Sequence, residues 1–169
     1  VKGMRNTTIT KQLGFLKWFL RWATTKGYCQ TLDYINFKPK LKTSEKKIIF
    51  LDWPELMTVY NYPFTDKQKT LERVRDVFCF CCFTSLRYSD VANLKRSDVF
   101  DSYISLTTIK TADSIKIELN KYSRAILDKY ADQQYPGNRA LPVISNQKMN
   151  DYLKEMGKIC GIDQPITIT

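Results

Sequence analysis

The sequence predicts a mainly α chain with a small antiparallel β-hairpin, an α+β class fold. Three observations carry this. Apolar residues recur at helical spacing through most of the chain, two short stretches between residues 103 and 119 alternate apolar and polar, and Gly and Pro punctuate the intervals.

The first helix is expected over Thr10–Thr25, with Leu13, Leu16, Leu20 and Ala23 in register, Thr10 as N-cap and Gly27 as stop. Phe15, Trp18 and Trp22 share a second face. Packing in a core is the simpler reading of the tryptophans, and a face for DNA or another partner is the alternative. Residues 28–48 read as a basic linker carrying Lys38, Lys40, Lys42, Lys46 and Lys47, interrupted by Pro39. Such a run is either a solvated connector or a strap along a phosphate backbone.

A second helix begins at Asp52, where Asp52-Trp53-Pro54-Glu55 has the composition of a capping box, and Leu56, Val59 and Tyr60 form its apolar side. The third, Lys67–Ser85, carries Leu71, Val74, Val77, Phe78, Cys81 and Cys82 on one face and is apolar all round from Val77 to Phe83, which predicts burial on every side. A short helix is expected over Ser89–Leu94 with Ser89 as cap. Residues 103–109 and 115–119 form the hairpin around Thr111-Ala112-Asp113-Ser114, with a short strand near Val99. Two helices close the chain: Tyr122–Gln134, with Ala125, Ile126, Leu127 and Tyr130 inward, and Asn146–Ile159, with Met149, Leu153, Met156 and Cys160 in register and Gly161 as stop.

At 169 residues the chain is long enough for one domain, or for one domain with part of another. Lysine and arginine number 27 against 17 acids, a net charge of +10, which favours a polyanionic partner. No apolar run approaches the roughly 18 residues of a membrane span. No signal peptide is expected, no internal repeat is evident, and Val1 in place of Met predicts that sequence precedes it. Five cysteines, an odd number, are expected as free buried thiols in a reducing, cytoplasmic setting. The absence of histidine excludes Ser-His-Asp and Cys-His catalysis, and the Cys79–Cys82 spacing does not suit zinc, so no metal is expected.

Arg87, directly after the buried helix, needs an explanation. A guanidinium at the wall of a core can present its fork to a phosphate, or it can pair structurally with Asp90 three residues on.

The stretch from Val74 to Val99 resembles the first catalytic box of the tyrosine recombinase (phage integrase) family. That box has an apolar helix, a Thr-Gly-Leu-Arg turn (here Thr84-Ser85-Leu86-Arg87), an acid three residues on, and a Leu-x-x-x-Asp segment (Leu94 to Asp98). Ser85 stands where the family has glycine, and serine tolerates positive φ less well. The resemblance implies catalytic roles for Arg87 and Asp90, and for Lys110 as the hairpin lysine, with Lys116 as the alternative. It implies a core-binding (SAM-like) domain helix at 1–27, a linker at 28–48 and the N-terminal portion of the catalytic domain at 49–169. Lys38, Lys40, Lys42, Lys46, Lys47 and Arg96 are the expected DNA contacts.

The same resemblance implies site-specific recombination through a 3′-phosphotyrosyl intermediate, with no metal or nucleotide cofactor. Its partners would be double-stranded attachment-site DNA and, for the full-length protein, a tetrameric synapse. The general character of the sequence resembles integrases of Bacteroides-type mobile elements. The family's second box, His-x-x-Arg with a further His or Trp, and its nucleophilic tyrosine have no counterpart among these residues. The expectation is therefore a fragment that binds DNA weakly and cuts nothing. The alternative is a non-catalytic DNA-binding module or regulator.

Overall fold

The computed structural model describes residues 3–41 and 49–168, and Lys42, Lys46 and Lys47 lie outside them. The chain divides into two compact units, residues 1–48 and 49–169.

In the first unit, α1 spans Asn6–Thr25 and starts earlier than expected. Arg5, not Thr10, is its N-cap, and the Thr10 hydroxyl donates back to the Asn6 carbonyl at 2.9 Å inside the helix. Gly27, at φ +78°, ends it. The Tyr28 N–H donates to the Ala23 carbonyl and the Gly27 N–H to the Thr24 carbonyl, a Schellman closure that only a residue tolerant of the left-handed region makes without strain. The segment expected as linker contains a short helix, α2 (Asp33–Asn36), and folds back on α1. The Lys17 ammonium donates to the Phe37 and Ile35 carbonyls, and the Tyr34 hydroxyl to that of Thr24. Core packing of the tryptophans is not found: Trp18 is 68% and Trp22 45% exposed, and Ala23 is the one buried residue of α1 among those described.

In the second unit, α3 (Trp53–Asn61) begins at the expected capping box, in which the Glu55 N–H donates to Asp52 at 2.8 Å and the Asp52 N–H to Glu55 at 2.9 Å. After a single 3₁₀ turn, α4 (Lys69–Thr84) forms the spine of the unit and packs against α3, α6 (Lys121–Lys129) and α7 (Asn146–Ile159). Val77, Cys79 and Phe80 of α4 are fully buried, as are Val59 of α3 and Met149, Leu153 and Met156 of α7. Burial does not extend all round to Phe83, because Cys82 opens onto an apolar cavity of about 450 Å³ between α3, α4 and residues 164–167.

The short α5 (Tyr88–Asn93) is capped by Arg87 rather than Ser89, the Asp90 and Val91 N–H groups donating to the Arg87 carbonyl. Strands β1 (Tyr103–Thr107) and β2 (Ser114–Glu118) form the antiparallel hairpin, Leu106 opposite Ile115 and Ile104 opposite Ile117 on its apolar face, and Val99 bridges to Ile104.

Helix α6 ends at Lys129, earlier than expected, and Ala125 is exposed rather than inward. Two contacts distant in sequence stop it. Tyr130 leaves the helix with its hydroxyl on Asp76, 2.6 Å away, and Arg96 donates to the Tyr130 and Gln133 carbonyls. Asp76 is almost wholly buried and also accepts from Arg75 at 2.8 Å and Lys129 at 2.7 Å. Helix α7 has the expected bounds, opened by Ser145 as N-cap and closed by Gly161 at φ +70°. No described helix is long and apolar enough to cross a membrane.

Candidate active site

The buried helix α4 delivers the chain to Ser85, which adopts φ +59° and ψ +17°. The serine thus occupies the left-handed conformation that glycine holds more cheaply. This reversal sends Leu86 and Tyr88 into the core, 6% and 7% exposed, and leaves the Arg87 side chain between them in solvent. The Tyr88 hydroxyl donates to the Ile144 carbonyl and ties this end of α5 to the segment before α7.

Arg87 makes no ion pair with Asp90, and its guanidinium has no hydrogen-bond partner among the described residues. Asp90, 2% exposed, instead accepts the Ile109 N–H at 2.9 Å. One carboxylate therefore joins the element that carries Arg87 to the hairpin turn that carries Lys110. A charge-assisted bond to a buried carboxylate is stronger than a neutral one.

Arg87 and Asp90 line an open cleft of about 570 Å³ together with Thr84, Ser85, Thr108 and Thr111. Lys110 lies between the two threonines in the turn, is exposed, and has no side-chain partner among the described residues. Lys116 lines the same cleft, whose lining does not include Lys110. It sits opposite Ser105, on the hairpin face of Tyr103, with its ammonium 3.8 Å from the centre of the Tyr103 ring. That cation–π contact occupies Lys116 on the face opposite Ile115 and Ile117.

Lys38 and Lys40 are exposed, and both belong to the first unit. Arg96 is half-buried, with one arm committed to the carbonyls at the end of α6. The Thr108–Thr111 pair and the Asp76 cluster were not anticipated. The threonines at three-residue spacing around Lys110 were the available signal for the first; nothing local in sequence signals the second.

The tyrosines whose acidity shifts are all weakened as acids. Burial raises Tyr60, Tyr88 and Tyr135, and Tyr130 is raised by burial first and then by its bond to Asp76. Burial also raises the Cys79 and Cys81 thiols, which are free, so these groups are protonated and inert at neutral pH. No group of acids and cysteines among the described residues could hold a metal ion. The cleft thus offers a free guanidinium, a buried carboxylate bracing the hairpin turn and the Lys116 side chain, with Lys110 on the turn between two of the lining threonines. These groups suit an oxyanion with a departing oxygen.

No protein-family profile matches the chain, and no curated protein sequence is similar to it. Solved structures are. A lambda integrase dimer bound to a COC′ core site aligns with 99% of this chain and 66% of its own, at a TM-score of 0.68 and 17% identity. The Tn1549 transposon integrase in complex with circular intermediate DNA aligns over 99% of this chain and 62% of its own, with a TM-score of 0.68 and 14% identity. XerA recombinase aligns over 96% of this chain and 64% of its own, with a TM-score of 0.56 and 14% identity. The chain therefore has the fold of part of these recombinases and spans just under two thirds of their length.

Proposed function

We propose that this chain is the first part of a tyrosine recombinase catalytic domain, residues 49–169, preceded by the last helix of a core-binding domain at 1–27 and a basic connection at 28–48. Its function is site-specific DNA recombination. The observation that carries the reading is the unpaired Arg87 in a cleft shared with Asp90 and with the threonines flanking Lys110. The likeness in fold to the integrases supports it.

On this reading a tyrosine from outside these residues attacks the scissile phosphate and forms the 3′-phosphotyrosyl link. Arg87 stabilises the negative charge gathering on the non-bridging oxygens, a role worth most where it is preorganised. The Lys110 ammonium gives its proton to the departing 5′-oxygen. Asp90 positions the turn. The resemblance to the family implies that no metal or nucleotide takes part.

Lys38, Lys40, Lys42, Lys46 and Lys47 contact the backbone of double-stranded DNA, and the full-length protein acts as a tetrameric synapse in the cytoplasm on a mobile element of Bacteroides-type hosts. A lambda integrase tetramer bound to a Holliday junction, similar over 98% of this chain with a TM-score of 0.67, supports the oligomer. These residues alone bind DNA weakly and do not cleave it. The test is incubation with a nicked attachment-site duplex and a denaturing gel: no covalent adduct is expected from this chain, and one is expected from the full-length protein. An adduct with this chain refutes the division of the site, and none with the full-length protein refutes the enzymatic reading in favour of a DNA-binding module.

A further inference from the structure

We propose that Thr108 and Thr111 form a hydroxyl clamp that positions Lys110, an inference that rests on the general-acid reading of that lysine. A long, flexible ammonium side chain is useful as an acid only if its backbone attachment is fixed. The turn that carries Lys110 needs outside help to stay fixed. Ala112 stands at φ +56°, a region costly to any residue with a β-carbon.

The help comes from Thr108. Its N–H donates to the Asp113 carbonyl at 2.9 Å, and its carbonyl accepts the Ala112 N–H at 3.0 Å. Its hydroxyl accepts the Asp113 N–H at 3.2 Å and bonds the Thr111 hydroxyl at 2.8 Å. Thr108 is 7% exposed, and its two hydroxyl bonds are partly buried. Asp90 fixes the next residue, Ile109, from the other side. The turn is thus held immediately before and immediately after Lys110, and both threonines line the cleft of Arg87.

The clamp moves no proton itself. It sets where the Lys110 proton is delivered as the phosphorus–oxygen bond breaks. Because it acts through the general acid, its loss is felt only when the leaving group needs a proton. A 5′-bridging sulfur leaves as a thiolate and needs none.

The experiment uses the full-length recombinase with Thr108→Val, Thr111→Val, Thr108→Ser and Lys110→Ala, each assayed for cleavage of matched duplexes bearing oxygen or sulfur at the scissile 5′ position. Both valine variants are expected to cleave the oxygen substrate about tenfold to a hundredfold more slowly. They should cleave the sulfur substrate at the wild-type rate, as Lys110→Ala should. Thr108→Ser restores the hydroxyl and should restore the oxygen rate. Valine variants that are slow on both substrates, or normal on both, overturn the clamp. Should Thr108→Val fail to fold, the exposed Thr111→Val decides by the same two rates. Lys110→Ala that stays slow on sulfur overturns the general-acid reading instead, a result distinct from failure of the clamp.

Discussion

Removing the Asp90 carboxylate should loosen the hairpin turn without unfolding the second unit. Asp90→Ala deletes the acceptor of the Ile109 N–H, a bond of 2.9 Å to a carboxylate that is 2% exposed. Hydrogen bonds to charged groups contribute about 1.5–3 kcal/mol. Ile109 is 56% exposed and the bond only partly buried, so water can reach the freed amide and the loss stays at the low end, about 1.5 kcal/mol. Local opening at that amide should then rise about tenfold. Amide hydrogen exchange on this chain reads the change directly: protection at Ile109 falls, while the amides of α4 and α7 change only by the global loss. Asp90→Asn keeps an oxygen acceptor and should lose about half as much, in line with the weaker neutral bond. Unchanged protection at Ile109 in the alanine variant would refute the bracing role. Collapse of the α4 amides would show that Asp90 serves the core and not the turn.

Other outcomes follow from the same structure. Asp76→Ala leaves Arg75, whose side chain is 11% exposed, without its nearest counter-charge. It should cost about 3–5 kcal/mol in urea unfolding, and less than 1 kcal/mol would show the cluster to be solvated. Ser85→Gly relieves a residue held at φ +59° and should stabilise the chain by about 0.5–1 kcal/mol in the same assay; destabilisation would show that the serine side chain is needed. Burial raises the folded-state pKa values of Cys79, Cys81 and Tyr130, so their contribution is complete below the ordinary thiol value of 9.0 and is lost as pH rises above it. Thermal midpoints should fall steadily above about pH 9, and midpoints flat to pH 11 would contradict that burial.

How much of this was legible in the sequence depends on how local the controlling interaction is. Helix α7 has the expected bounds because Ser145, the Met149–Leu153–Met156 stripe and Gly161 all act within it. The capping box of α3 is local in the same sense. Helix α6 is shorter than its periodicity predicts because Asp76 and Arg96, distant in sequence, take hold of Tyr130 and of the carbonyls beyond the helix. Helix α1 starts before Thr10 because the Thr10 hydroxyl, of a type suited to a cap, bonds back into a helix already under way.

In the site, Arg87 and Asp90 could be singled out, yet Arg87–Asp90 pairing remained an open choice in the sequence. The structure decides it: the left-handed Ser85 and the inward Leu86 and Tyr88 turn Arg87 outward, while Asp90 reaches the hairpin. Nothing in periodicity fixes which way a lone arginine points between two buried neighbours.

On the proposed function, Arg87 is held free to stabilise charge on a DNA phosphate. Cleavage of a nicked attachment-site duplex by the full-length protein, compared between wild type and Arg87→Ala, tests it most directly. The cleavage rate should fall by at least about a hundredfold in Arg87→Ala. DNA affinity at fixed salt should stay near wild type, because backbone contacts elsewhere supply most of it. Cleavage by Arg87→Ala at the wild-type rate would show that the guanidinium takes no part in the chemistry.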